Sequence, residues 1–69
     1  MNIENALRNY LDIQIETYLM QAEKNPKQEP FLYSEVAIVK SCLDYCFIEL
    51  SIGQLEMISR VNKIHYSME

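Results

Sequence analysis

Turn-forming residues are confined to two places in this chain. Its 69 residues include one glycine, Gly53, and two prolines, and both prolines lie in the segment NPKQEP, residues 25–30. An all-β fold needs many turns between short strands, and this sequence does not supply the residues for them. The chain is therefore predicted to be all-α, and its length predicts a single domain.

The first predicted helix, helix A, spans about residues 2–24. Its apolar positions recur at steps of three and four, which is typical of an amphipathic helix. They are Ile3, Leu7, Leu11, Ile15, Tyr18, Leu19 and Ala22, with Ala6, Tyr10 and Ile13 widening the same face. Because this arc exceeds the roughly 100° that suits contact with one neighbour, helix A is predicted to contact more than one helix.

The segment of residues 25–30 is predicted to be a linker, followed by helix B at about residues 31–50. Asn25 precedes Pro26 and is biased away from helical geometry, whereas Pro30 suits the first turn of a helix. Helix B is apolar almost all round, which predicts a central position in the core. Its expected inward residues are Val36, Val39, Leu43, Cys46, Phe47 and Leu50. A strand over FLYSEVAIVK is disfavoured because strict alternation of apolar and polar residues fails there.

The segment LSIGQL, residues 50–55, raises the question of whether helix B continues or a new helix begins. Ser51 followed by Gln54 forms a capping-box pattern, and Leu50 and Leu55 occupy the two staple positions around it. A heptad of Val36, Leu43, Leu50, Met57 and Ile64 would suit a continuous helix instead.

The intermediate heptad positions decide in favour of a break, because Gly53 and Arg60 are poor seam residues. Helix C is then predicted over about residues 52–65, followed by a frayed tail at residues 66–69. Its expected inward residues are Leu55, Ile58, Val61 and Ile64.

The predicted fold is a small three-helix bundle, built from a long helical hairpin and a shorter third helix. A domain of this size buries only about 60% of the surface of its unfolded chain. The shorter third helix is expected to leave a strip of the hairpin uncovered, so completion of the core by dimerisation is predicted.

Residues that could carry chemistry are few. Cys42 and Cys46 are spaced i, i+4 on a helix, but no second pair completes a metal site, so they are interpreted as two buried thiols. His65, the single histidine, lies in the last predicted turn, where the helix dipole favours a cation. The sequence contains no catalytic motif, so we expect no enzymatic activity, no metal and no cofactor.

The charge and hydropathy of the sequence restrict the classes of partner and the location that can be expected for this protein. The net charge is −4 and the basic residues are scattered, which argues against binding to nucleic acid. The first twelve residues do not resemble a signal peptide, and no apolar run approaches the length of a membrane span. A cytoplasmic location is therefore expected, in the source cell or in a host cell if the origin is viral or plasmid-borne, with no membrane association.

The expected partner is another protein. The predicted contact site on helix A comprises the acidic residues Asp12, Glu16 and Glu23 with the neighbouring Tyr10 and Tyr18. The first functional hypothesis is a small regulatory or inhibitory protein that acts through a helical surface. The alternatives are a self-assembling structural subunit, and an acidic nucleic-acid mimic or nucleic-acid-associated accessory protein.

Overall fold

The computed structural model describes residues 2–68 and contains three α-helices, which confirms the predicted bundle. They are α1 (Ile3–Gln21), α2 (Glu29–Tyr45) and α3 (Ile52–Ser67). The start of α3 bonds to the first half of α1, through Gln54 and Asp12. The end of α3 meets the start of α2, through His65 and Glu29. Helices α1 and α3 therefore run in the same direction and α2 runs opposite to both.

The core is apolar and draws on all three helices. Tyr18, Leu11, Leu43 and Val61 are its largest fully buried side chains. Helix α1 packs against both α2 and α3, as its wide apolar arc predicts. The remaining buried apolar residues are Ile15, Ala22, Val36, Val39, Ile48 and Ile58.

The connection between α1 and α2 lies slightly earlier than predicted. Helix α1 ends at Gln21, whose carbonyl accepts a bond from the Asn25 amide, and α2 begins at Glu29. Pro30 is accordingly the second helical residue, where its missing N–H is not needed. The predicted linker at residues 25–30 therefore corresponds to a turn over residues 22–28.

Helix α2 ends at Tyr45 rather than near residue 50. The Ile48 amide donates to the Leu43 carbonyl and the Phe47 amide to the Asp44 carbonyl, which is the bonding of a Schellman motif. Phe47 holds the left-handed position of this motif, with φ of 56°. The prediction that Cys46 and Phe47 face inward is wrong, because the turn directs both into solvent and buries Ile48 in their place.

Replacing Phe47 with glycine is expected to stabilise the fold by about 1 kcal/mol. A left-handed backbone costs an L-residue with a side chain roughly 1–2 kcal/mol, and glycine avoids this penalty. The Phe47 side chain is 93% exposed, so its removal sacrifices little burial. Denaturant titration of Phe47→Gly beside Phe47→Ala measures the effect. Equal stability of the two variants would contradict the argument, because alanine loses the ring but keeps the backbone penalty.

The start of α3 confirms the predicted capping box. The Gln54 amide donates to Ser51 Oγ and the Ser51 amide donates to Gln54 Oε1, each over 3.1 Å. The register set by this cap turns Gln54 inward, so the expected core residue Leu55 is about half exposed instead. Ile58 and Val61 are buried, and Ile64 packs partly against the core, as predicted.

Substituting Ser51 with alanine is expected to lower the free energy of unfolding by about 1 kcal/mol. The change leaves an amide at the start of α3 without its side-chain acceptor. Thermal and denaturant unfolding measure the loss. Ser59→Ala is the control, since Ser59 is an exposed residue within the same helix. A Ser51→Ala protein as stable as the control would show that the cap contributes nothing.

The end of α3 and the burial of α2 differ from the prediction. Helix α3, with 16 residues against 19 in α1 and 17 in α2, is the shortest helix, as predicted, although it includes Tyr66 and Ser67 of the predicted frayed tail. Glu69 lies outside the described residues. Helix α2 is not buried all round, because Phe31, Ile38 and Tyr45 are exposed. The uncovered part of the hairpin is one whole face.

Candidate interaction surfaces

The predicted acidic site on α1 is partly occupied by contacts within the bundle. Asp12 Oδ1 accepts a hydrogen bond of 2.9 Å from Gln54 Nε2 and so ties α1 to α3. Asp12 therefore has a structural role within the bundle, in addition to its predicted place in the contact site. Glu16 and Glu23 are exposed.

The two tyrosines of the predicted contact site differ in their exposure to solvent. Tyr18 is fully buried, so its proposed place at a partner surface is wrong. The reason is that Tyr18 lies on the core side of α1 with Leu11 and Ile15. Tyr10 is about half exposed and belongs to an apolar surface, separate from the acidic residues of the predicted contact site.

A buried polar cluster joins the three helices at one end of the bundle. The Tyr18 hydroxyl donates to Glu29 Oε2 over 2.5 Å, and His65 Nδ1 lies 2.8 Å from the same oxygen. Glu29 is the first residue of α2 and is only 4% exposed. Its carboxylate lies in the first turn of α2, where the helix dipole favours a negative charge.

Aromatic contacts fix the geometry of this cluster. The Tyr33 ring stacks on the His65 ring with centroids 3.6 Å apart and planes within 6°. The Tyr33 hydroxyl donates to Asn62 Oδ1, and the Tyr18 ring meets the edge of Tyr33. Burial and the hydrogen bond to Glu29 raise the pKa of Tyr18 above its ordinary value. The hydrogen bonds and ring contacts of this cluster join all three helices and so fix their relative positions at this end of the bundle.

Sequence reasoning missed this cluster because it assigned Glu29 to a linker. The available signal was an acid beside Pro30, in the favourable first turn of a helix, together with a histidine in the last turn of another. Periodicity alone could not show that these two turns meet.

Above pH 10 the fold is expected to lose stability through Tyr18. Because the pKa of Tyr18 is raised in the folded state, the folded protein keeps a proton that the unfolded chain releases. The stabilisation is complete below the ordinary pKa of about 10 and is lost as the pH rises above it, by at most about 1.4 kcal/mol per pH unit. Unfolding of the native protein and of Tyr18→Phe at pH 9 and 11 measures this loss. Identical pH dependence in the two proteins would contradict the assignment.

The cysteines do not form a buried pair. Cys42 and Cys46 are free and exposed, so the buried interpretation is wrong. Cys42 lies on the outer side of α2, and Cys46 belongs to the turn that ends the helix early. Among residues 2–68 no group of three or more His, Cys, Asp or Glu side chains could hold a metal ion.

A broad apolar surface lies on one side of the α1–α2 hairpin and is here called the hairpin face. Its seven large side chains are between 48% and 89% exposed. They are Ile3, Tyr10, Ile13 and Met20 of α1 with Phe31, Ile38 and Tyr45 of α2.

The hairpin face points away from α3. On α1, residues such as Asp12 and Leu19 line the contact with α3. At 100° per residue their centre lies roughly 140° around the helix from the exposed apolar stripe. On α2 the residues facing α3, such as Val36 and Lys40, lie roughly 160° from Ile38 by the same geometry. Both stripes therefore occupy the side that α3 leaves open.

Helix α1 thus carries two apolar seams. The inner seam packs in the bundle, and the outer seam alternates at steps of three and four, the spacing with which helices pack against other helices. The outer seam consists of Ile3, Ala6, Tyr10, Ile13, Thr17 and Met20. On α2, Phe31, Ile38 and Tyr45 follow one another at intervals of seven, which places them on one stripe.

The hairpin face carries almost no charge. The outer seam of α1 contains no ionisable group except the Tyr10 hydroxyl. On α2 the exposed positions flanking Ile38 are Ser34, Ser41 and Cys42, and Glu35 is the one charged residue near them. The acidic residues of α1 lie toward α3 instead.

The exposed area of this face reaches the size of an interface. With roughly 200 Å² for each large side chain, its members expose on the order of 900 Å². The largest apolar patch on a typical monomer is about 300–600 Å², and a standard interface buries about 800 Å² per partner. The hairpin face is therefore the strongest candidate for a binding surface.

Within the described residues, no helix has both the length and the hydropathy needed to cross a bilayer. No protein-family model, no curated protein and no solved structure matches this chain.

Proposed function

We propose that this protein acts by binding another protein chain through the hairpin face, as a small regulator or inhibitor. The observation that carries the proposal is the uncharged apolar area opposite α3, which exceeds that of an ordinary monomer surface. Burial of this area supplies the free energy of binding, and Tyr10, Phe31 and Tyr45 are the aromatic residues that dominate such interfaces.

The acidic residues have a secondary part in this proposal. Glu16 and Glu23 lie outside the hairpin face, so they contribute to the approach of a basic partner and not to the contact itself. Asp12 is held by Gln54 and serves mainly the bundle.

Photo-crosslinking in the source cell tests the proposal. A benzoylphenylalanine placed at Ile38, in the centre of the face, is expected to form a discrete protein adduct. The matched control is the same residue at Ile52, an exposed isoleucine at the start of α3. Adducts from neither position, or from both equally, would overturn the assignment of the binding surface to the hairpin face.

A second candidate function is self-assembly as a structural subunit. The observation that favours it is the near absence of charge on the hairpin face. A chain with net charge −4 repels its own copies, and an uncharged apolar surface is the part through which they can meet.

A further inference from the structure

We propose that the occupant of the hairpin face is a second copy of this chain, paired by a two-fold axis perpendicular to α1 and α2. The two hairpins then form a four-helix core, with α3 of each subunit on the outside. This inference rests on the proposed function in its self-assembly form, because it names a second copy as the partner of the same surface.

The surface area of the isolated chain supports an additional partner. The chain exposes 5073 Å², whereas the scaling for folded monomers gives about 4,500 Å² at its mass of 8.2 kDa. The excess is of the same order as the hairpin face. Burial of that face against an equal surface reaches the size of a standard stable interface.

The order of large and small side chains in the outer seam of α1 is the same from either end of the helix. Its side chains run large, small, large, large, small, large in the order Ile3, Ala6, Tyr10, Ile13, Thr17 and Met20. In an antiparallel pair centred between residues 11 and 12, Ile3 meets Met20 of the partner subunit. Tyr10 meets Ile13 of the partner subunit in the same way. A two-fold interface requires this self-complementarity, whereas an unrelated partner does not.

The stripe on α2 has the same property. Phe31 and Tyr45 are each seven residues from Ile38, so an antiparallel pair centred on Ile38 places an aromatic ring against an aromatic ring at both ends. The flanking Ser34 and Ser41 are small and allow the two helices to approach closely. Glu35 is opposite Ser41 of the partner subunit. The two Glu35 residues of the dimer are about six residues, or 9 Å, apart along the helix axis of α2.

The centre of the outer seam of α1 and the centre of the α2 stripe lie at nearly the same height along the hairpin. The Tyr18 and Tyr33 rings are neighbours, with centroids 6.3 Å apart, which fixes the register of the antiparallel pair α1–α2. Counting from this pair at 1.5 Å per residue, Ile38 is level with residue 13 of α1. The centre of the α1 seam is about 2 Å from that level, so one axis serves both helices.

Sedimentation equilibrium of the purified protein tests the assembly. The native chain is expected to sediment at twice its 8.2 kDa mass at tens of micromolar. Ile38→Asp, which places two carboxylates at the axis, is expected to sediment as a monomer with unchanged helical circular dichroism. The matched control Ile52→Asp is expected to remain a dimer. A native protein that is monomeric throughout this range overturns the proposal.

Cysteine crosslinking tests the position of the axis and does not depend on Ile38→Asp folding. In a Cys42→Ser, Cys46→Ser background, Ile38→Cys is expected to form an intersubunit disulfide with oxidised glutathione, because only a residue on the axis faces its own copy. Ile52→Cys is the control and is expected to stay reduced. A dimer in which Ile38→Cys does not crosslink contradicts this axis.

Failure of the dimer is distinguishable from failure of the proposed function. A monomeric protein whose position 38 still crosslinks to another protein in the cell rejects the second copy and retains the binding face. A monomeric protein without adducts at position 38 rejects both.

Discussion

Replacing Glu29 with alanine is expected to lower the free energy of unfolding by about 3 kcal/mol. The change removes the acceptor of the fully buried Tyr18 hydroxyl and the carboxylate beside His65. An unsatisfied buried polar group costs about 1–3 kcal/mol, and the 2.8 Å contact between Glu29 Oε2 and His65 Nδ1 is lost as well. Denaturant unfolding at neutral pH measures the loss.

The matched control is Glu56→Ala, the same chemical change at an exposed position of α3, outside the hairpin face. Its expected effect is within about 0.5 kcal/mol, as for other exposed charges. Glu29→Gln keeps an acceptor for Tyr18 but loses the charge beside His65, so an intermediate loss is expected.

A double-mutant cycle with Tyr18→Phe separates the hydrogen bond from the rest of the cluster. In the double variant no hydroxyl is left without an acceptor, so its loss should be smaller than the sum of the single losses by about 1–2 kcal/mol. Additivity within about 0.5 kcal/mol would mean that the Tyr18–Glu29 bond contributes nothing to stability.

The helical fold could be predicted from the sequence because its signals are local. Apolar periodicity marked the helices, and the capping box of Ser51 and Gln54 marked the start of α3. The end of α2 could not be predicted, because its left-handed residue is Phe47 and not the glycine that usually identifies this motif. A phenylalanine in that position carries no turn signal.

The candidate surface was only partly predictable, for a different reason. The sequence showed that the apolar arc of α1 is too wide for one neighbour. Which part of the arc faces solvent depends on where α3 packs, and this depends on nonlocal contacts such as that between Gln54 and Asp12. The acidic residues of α1 were chosen as the contact site because charged side chains can be identified in the sequence. The uncharged residues of the outer seam could not be distinguished from core residues.

Gln54 is the residue for which the structure most changes the expected effect of a substitution. Glutamate at this position also forms capping boxes, so sequence reasoning predicts that Gln54→Glu is neutral. In the structure Gln54 is buried, and its Nε2 donates to the Arg8 carbonyl over 3.1 Å and to Asp12 Oδ1 over 2.9 Å. Glutamate retains the acceptor oxygen of the cap but has no donor for these two oxygens.

Gln54→Glu is therefore expected to lower the free energy of unfolding by about 2 kcal/mol. It removes two hydrogen bonds between α1 and α3 and places a second carboxylate against Asp12. Gln28→Glu, the same change at an exposed residue before α2, is the control and is expected to alter stability by no more than about 0.5 kcal/mol. Adding Asp12→Asn to Gln54→Glu exchanges donor and acceptor across the contact and is expected to restore at least half of the loss. If Gln54→Glu unfolds at the same denaturant concentration as the native protein, the capping box alone holds the start of α3 and its bonds to α1 carry no stability.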